Sequence, residues 1–120
     1  MDTPIETPID MNEATEIVCN SKDLFIELFD ILIDTLDEQL SMLEKAIEKQ
    51  DFSTIIWIAH RMKSGLNSLA AKGAGDLAQR LENLSQTSSI NDIQPVYKAY
   101  KMELDRITAY YKSRAWESYF

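Results

Sequence analysis

The stretch DFSTIIWIAHRMKSGLNSL, residues 51–69, decides the fold of this chain and carries its only histidine, His60. Asp51 opens the stretch and is suited to cap a helix. At about 100° per residue, the apolar positions fall within roughly 60° of one line along that helix. These positions are Ile55, Ile58, Ala59, Met62, Leu66 and Leu69. We therefore predict an amphipathic helix that buries this stripe and turns His60, about 140° away, largely toward solvent.

The same spacing of three and four residues continues upstream of this helix. Ser21 is predicted to cap a long second helix. Its apolar positions are Leu24, Phe25, Leu28, Phe29, Leu32, Leu36, Leu40, Leu43 and Ile47. A short first helix, capped by Asp10 or Asn12, is predicted to run through Cys19. Residues 1–9 are rich in Thr, Pro and Glu and are expected to form a flexible N-terminal arm.

Downstream, the segment LAAKGAG (residues 69–75) holds two of the three glycines and should contain a turn. A fourth helix follows, and Asn91 or Asp92 is predicted to cap a last helix that runs close to Phe120. Pro95 would fall in its first turn, where the missing N–H does little harm. The sequence thus predicts an all-α domain over residues 10–120. Short connections favour an antiparallel four-helix bundle with an additional short N-terminal helix.

Composition narrows the possible functions. The chain has 120 residues and a net charge of −8, with a pI of about 4.5, which argues against nucleic-acid binding and against an anionic membrane surface. No apolar run reaches the roughly 20 residues of a membrane span, and the N-terminus does not resemble a signal peptide. Cys19 is the only cysteine, which suits a reducing compartment. We expect a cytoplasmic location.

The surroundings of His60 favour a reactive group over an idle polar side chain. Ser64 lies one helical turn on and leaves the ring open, while Lys63 can pair with an anion on the ring. Trp57 and Ile56 are apolar but stand near His60 and away from the core, as a docking surface would require. One histidine and one cysteine exclude the common zinc patterns. The acidic pairs of the second helix are interpreted as a solvated face.

These residues resemble the histidine-containing phosphotransfer (HPt) domain family. The family pattern appears as Ala59, His60, Met62, Lys63 and Ser64, followed by a small-residue turn at residues 69–71 and the pair Leu81-Glu82 on the next helix. The resemblance covers roughly residues 9–115. Two positions depart from the pattern, since Ala70 and Ser64 stand where the family often has glycine. Both are small, so access to the ring is kept, and Gly73 and Gly75 are expected to supply flexibility at the turn.

The resemblance implies that His60 accepts a phosphoryl group on Nε2 from an aspartyl phosphate of a receiver domain and passes it to another receiver. Lys63 would stabilise the phosphoryl oxygens. Glu82 would accept a hydrogen bond from Nδ1 and orient the ring, with Gln79 and Gln86 as alternates. The chain lacks a Gly-rich nucleotide loop, so we expect a phosphocarrier without kinase activity.

The resemblance also implies a docking face for the partner around His60. Its predicted residues are Ile56, Trp57, Arg61, Ser64 and Asn67, with Arg61 as the weakest candidate because it points roughly opposite to Lys63. The second helix is expected to contribute Ile26, Phe29 or Ile33. The partners would be response-regulator receiver domains and a hybrid sensor kinase, met by a monomer. We expect no cofactor and no metal site in this chain, since the partner receiver domain supplies Mg²⁺.

Two other functions remain open at this point. The chain can be a helical adaptor in which His60 is incidental, or a pseudo-HPt domain that docks receivers without being phosphorylated. The adaptor predicts that His60→Gln leaves partner binding and signalling intact. The presence of both His60 and Lys63 counts against the pseudo-domain. An enzyme with its own small substrate has little support, because exposed carboxylates alone do not make an acid–base pair.

Overall fold

The computed structural model describes residues 7–87 and 89–120, and within these residues every regular element is a helix. The elements are α1 (Met11–Ile17), α2 (Lys22–Glu48), α3 (Phe52–Ser68), α4 (Lys72–Gln86), α5 (Ile90–Ser113) and a C-terminal 3₁₀ helix (Ala115–Tyr119). The predicted all-α class is therefore confirmed. In this part of the chain, none of the helices combines the length and the apolar character needed to cross a membrane.

Short polar side chains set the starts of the first three helices. The side chain of Asp10 accepts a hydrogen bond from the Glu13 N–H at 3.2 Å. Ser21 Oγ accepts one from the Leu24 N–H at 3.1 Å. Asp51 does the same for Thr54 at 3.3 Å. Each bond satisfies an N–H that has no partner within the helix, so the caps predicted at Ser21 and Asp51 are confirmed, and Asp10 is the one of the two candidates that caps α1.

The start of α5 differs from the prediction. The helix begins at Ile90, with Ser89 in the capping position and no side-chain hydrogen bond there, so the caps predicted at Asn91 or Asp92 are wrong. Pro95 lies in the second helical turn and not the first. α1 is also shorter than predicted, since it ends at Ile17 and not at Cys19.

The turn between α3 and α4 is made by alanine and not by glycine. Ala70 has a left-handed backbone conformation, with φ of 60°, which disfavours residues that carry a Cβ. Its carbonyl accepts a hydrogen bond from the Asp10 N–H at 3.0 Å, and the residue is buried. Gly73 and Gly75 lie inside α4 without positive φ. The prediction that these two glycines supply flexibility at the turn is therefore wrong.

Four long helices surround the core. α3 packs against α4, α4 against α5, and α2 against both α3 and α5. The largest fully buried side chains include Phe25, Phe29, Leu43, Ile55, Leu66, Leu81, Tyr100, Leu104, Ile107 and Trp116. Ile9 is fully buried as well, so the core includes the last residue of the predicted arm. Residues 1–6 of that predicted arm lie outside the described residues.

The C-terminal tail folds back onto the bundle. α5 ends at Ser113, short of the predicted run toward Phe120, and Arg114 takes a left-handed conformation with φ of 58°. The following 3₁₀ helix buries Trp116 completely, with its ring centroid 4.6 Å from that of Phe25. Its indole N–H donates to the Tyr111 carbonyl at 2.8 Å. α1 packs against this 3₁₀ helix, so the tail supports the N-terminal helix.

Candidate functional site

His60 lies on the exposed side of α3, as predicted from its angle of about 140° to the apolar stripe. Its side chain is 63% exposed, whereas Ile55, Ile58, Ala59, Met62 and Leu66 on the same helix are buried. The ring is therefore open to a second molecule while the helix beneath it is fixed by the core. An exposed imidazole on a rigid element is a suitable nucleophile near neutral pH.

Glu82 of α4 holds the inner edge of the His60 ring. His60 Nδ1 lies 2.9 Å from Glu82 Oε1, and the Glu82 side chain is only 11% exposed. When Nδ1 carries the proton, it donates to this carboxylate, and Nε2 keeps a lone pair that points away from the protein. Glu82, and neither of the alternates Gln79 and Gln86, lies beside the ring.

Lys63, one helical turn after His60 on α3, also contacts α4. Its Nζ donates to Gln79 Oε1 at 2.7 Å and lies 3.4 Å from Glu82 Oε2. Gln79 Nε2 donates to Glu82 Oε2 at 3.0 Å and to Asn83 Oδ1 at 2.8 Å. We call these residues the polar seam, because they lie along the contact between α3 and α4. They are His60, Lys63, Gln79, Glu82 and Asn83.

The charge of Glu82 is fixed by its neighbours in the polar seam. Burial by itself would raise the pKa of the Glu82 carboxyl. The hydrogen bond from His60 and the charge and hydrogen bond of Lys63 outweigh that effect and hold the pKa below its ordinary value of 4.5. Glu82 is therefore a carboxylate at neutral pH, and it faces the ring edge with an acceptor that favours a protonated Nδ1.

The predicted docking residues divide between the two sides of His60. Trp57 is 53% exposed, and the Arg61 guanidinium lies over its ring, 4.9 Å from the centroid. Ser64 is exposed beside His60, and Ile56 is half-buried. Asn67 is exposed but leans toward α4, where its side-chain oxygen occupies the space that a Cβ on Gly75 would need. Arg61 is therefore next to Trp57, and Asn67 belongs to the α4 side.

An apolar groove runs between α2 and α3, on the side of α3 away from the polar seam. This α2–α3 groove has a volume of about 530 Å³, and its lining includes Ile17, Leu28, Ile31, Leu32, Arg61 and Gly65. A smaller cavity of about 230 Å³ continues from it along α3 and includes Trp57 and Met42. Arg61 lines both cavities, so the groove extends to the residues beside His60.

Gly65 lies on this side of the molecule and borders open space, because a Cβ added there would meet nothing within 4 Å. Of the three residues expected from α2, Phe29 is contradicted, because it is fully buried. Ile26 and Ile33 are only partly buried against the core, and their contribution stays a prediction. Ile31, which is 57% exposed, was missed. The available signal was an isoleucine outside the apolar stripe of α2.

The described residues contain no cluster of three or more His, Cys, Asp or Glu side chains arranged to hold a metal ion. The polar seam contains one exposed imidazole (His60), one carboxylate that accepts its hydrogen bond (Glu82) and one ammonium group (Lys63). That set can hold and neutralise an anionic group on the ring nitrogen, and phosphoryl groups are transferred largely through positioning and charge neutralisation.

Comparison with known proteins gives one match. Residues 27–110, well over half of the chain, match the family model described as Hpt domain. The matched segment contains the whole polar seam and begins inside α2, so α1 and the C-terminal 3₁₀ helix lie outside it. No curated protein matches the chain, and neither does any solved structure.

Proposed function

The chain belongs to the Hpt domain family, whose members act in phosphorelays with receiver domains, and we propose that it is a phosphocarrier of a multistep two-component phosphorelay. His60 accepts a phosphoryl group from the aspartyl phosphate of one receiver domain and passes it to another. The observation that carries this proposal is the exposed ring of His60, whose Nδ1 lies 2.9 Å from the Glu82 carboxylate.

In the accepting step the neutral imidazole is the nucleophile. Nε2 attacks the phosphorus of the aspartyl phosphate, the Nε2–P bond forms, and the P–O bond to the aspartate breaks to leave a carboxylate. Glu82 keeps the proton on Nδ1, so the ring becomes cationic as it takes the phosphoryl group, and the adjacent carboxylate stabilises that charge. In the donating step the same bonds form and break in reverse.

Lys63 supports both steps through its charge. It lies on the same side of α3 as His60 and is 21% exposed, so its ammonium is available to the oxygens of a phosphoryl group on the ring. Such charge-assisted hydrogen bonds are stronger than neutral ones. The Mg²⁺ that assists aspartyl phosphate chemistry comes with the receiver domain. This chain acts as a carrier without kinase activity of its own.

Receiver domains dock on the face that runs from His60 into the α2–α3 groove. Trp57 and Arg61 lie between His60 and the α2–α3 groove. Ser64 keeps the space next to the ring open. The partner would cover the groove while its aspartate reaches Nε2. We propose that the donor and the acceptor receivers, including that of a hybrid sensor kinase, take turns on this one face of a monomer in the cytoplasm. The four long helices beneath it would run antiparallel.

The test is phosphoryl transfer from phosphorylated receiver domains to the wild-type chain and to His60→Gln. We expect an acid-labile, alkali-stable label on the wild type and none on the variant, with equal helix content by circular dichroism. His60 is the only histidine, so a phosphohistidine label can reside nowhere else. If receivers bind both proteins but label neither, the chain is an adaptor or pseudo-HPt domain, and the proposal is wrong.

A further inference from the structure

We propose that Gln79 is a positioning residue for Lys63: it is a neutral anchor that holds the ammonium beside His60 without neutralising it. This inference rests on the proposed function, because it concerns how the lysine is kept ready for a phosphoryl group on the ring. Lys63 and His60 lie one helical turn apart on α3, and the shortest contact of the Lys63 ammonium in the polar seam is the one to Gln79, at 2.7 Å.

The orientation of the Gln79 amide is set by its other partners. Its Nε2 donates to two acceptors, Glu82 Oε2 at 3.0 Å and Asn83 Oδ1 at 2.8 Å. A side-chain NH₂ has two donors, so both are used on α4. The amide oxygen is thereby left to face α3, where it accepts the hydrogen bond from Lys63. The same geometry does not suit a reversed amide, because an NH₂ group cannot accept from an ammonium.

The neutrality of Gln79 decides the charge of the site. Glu82 is the one carboxylate in the polar seam, and it faces both His60 at 2.9 Å and Lys63 at 3.4 Å. The lysine charge is therefore only partly balanced before transfer, and one of its three N–H donors is free of the two seam contacts. A carboxylate at position 79 would pair fully with Lys63 and place a second anion next to the site where an anionic phosphoryl group must arrive.

A purely structural role for Gln79 makes a different prediction. If the side chain only filled space between α3 and α4, its removal would act through stability and would not depend on Lys63. If it positions the lysine, its effect on transfer must vanish when the lysine is absent. The two residues would then be coupled in a double-mutant cycle of transfer rates.

The experiment uses two phosphoryl donors on the same set of folded proteins. One donor is phosphoramidate, a small molecule that needs no docking; its P–N bond breaks, ammonia leaves, and the new bond forms at His60 Nε2. The other is a phosphorylated receiver domain. The variants are Gln79→Ala, Gln79→Glu, Lys63→Ala and the double variant Lys63→Ala with Gln79→Ala. Gln86→Ala, which changes an exposed glutamine of the same helix, is the matched control.

We expect Gln79→Ala to slow phosphorylation of His60 by about fivefold with either donor, as for loss of one hydrogen bond. Gln79→Glu should be slower still, and Gln86→Ala should match the wild type. In the Lys63→Ala background, Gln79→Ala should cause no further loss. Binding of the receiver, measured separately by titration, should stay unchanged in both single Gln79 variants.

The inference is overturned if Gln79→Ala keeps the wild-type rate, or if it slows transfer equally with and without Lys63. A pattern that holds with phosphoramidate while no receiver labels the wild type would leave the anchoring role of Gln79 standing and remove the phosphorelay function. Failure of both donors to label His60 in the wild type would overturn both proposals.

Discussion

The two sides of α3 differ in polarity. On the α4 side, the polar seam joins His60, Lys63, Gln79 and Glu82 through hydrogen bonds of 2.7 to 3.4 Å. On the α2 side, the groove is apolar, holds a cavity of about 530 Å³ and leaves Ile31 exposed. One helix therefore carries a closed polar network and an open apolar surface, with His60 on the exposed ridge between them.

This difference separates two tasks that a phosphocarrier must combine. A reacting side chain has to be held in one orientation, which hydrogen bonds of fixed geometry achieve. Successive partners have to bind and leave, which suits an apolar surface with few directional requirements. We infer that changes in the polar seam alter the rate of transfer, whereas changes in the α2–α3 groove alter the affinity for the partner.

The largest effect is expected from a charge placed in the groove. Ile31→Glu removes an exposed apolar contact and would force a carboxylate into the partner interface. We expect it to weaken receiver binding by about tenfold or more, while phosphorylation of His60 by phosphoramidate keeps its wild-type rate. Binding is measured by titration with the unphosphorylated receiver, and the rate by ³¹P NMR.

The control for this prediction is Met102→Glu. Met102 lies on α5 and is 61% exposed, so the variant adds the same charge at a similar apolar position outside the groove. It should bind the receiver like the wild type. Equal weakening by the two variants would mean that net charge, and not the groove, determines affinity. A slower reaction of Ile31→Glu with phosphoramidate would mean that the groove also affects the rate of transfer, contrary to the proposed separation of the two sides.

Local signals in the sequence were sufficient for the helix starts at Ser21 and Asp51, because each capping bond joins residues three apart. They were sufficient for the exposure of His60 as well, since helical geometry alone places it off the buried stripe. They misjudged the α3–α4 turn: glycine is the usual residue in a left-handed conformation, yet Ala70 adopts it and the two nearby glycines are helical.

Contacts between distant segments do not follow from helical periodicity, and the one that was predicted, between His60 and Glu82, came from the family resemblance. Lys63 meets Gln79 only because α3 and α4 pack in one register, and helical periodicity does not fix that register. Ile9 and Trp116 are buried although neither belongs to a long periodic pattern. Ile31 stands outside the apolar stripe of α2, but that signal alone does not distinguish a groove residue from an isolated exposed isoleucine. Each of these features depends on where a second element lies.

A smaller effect should distinguish the two sides through their glycines. Gly65 lines the open groove, and Gly75 faces Asn67 in the α3–α4 contact. Alanine is favoured over glycine inside a helix by roughly 0.5–1 kcal/mol, so Gly65→Ala should raise the free energy of unfolding by about that amount. Gly75→Ala should gain less, because the Asn67 side chain must move aside. Urea denaturation at matched slopes measures both.

The glycine comparison has a clear contrary outcome. If Gly75→Ala stabilises the protein as much as Gly65→Ala does, then Asn67 yields freely and the α3–α4 contact is looser than its geometry indicates. If Gly65→Ala instead destabilises, the α2–α3 groove is not open in solution, and the face proposed for docking would have to be closed by the protein itself.

The smallest effect concerns the pH dependence of stability. Hydrogen bonds and charge hold the pKa of Glu82 below 4.5, so its stabilising contribution is complete above pH 4.5 and is lost as the pH falls through the lower folded-state pKa. Glu82→Gln keeps an acceptor for Nδ1 but does not titrate. The difference in unfolding free energy between wild type and variant should therefore be largest near neutral pH and shrink as the pH falls below 4.5. We expect it to stay below about 1 kcal/mol, because His60 is exposed to solvent. A difference that stays constant over this range would mean that the charge of Glu82 does not stabilise the fold, and that the carboxylate serves only to orient the ring.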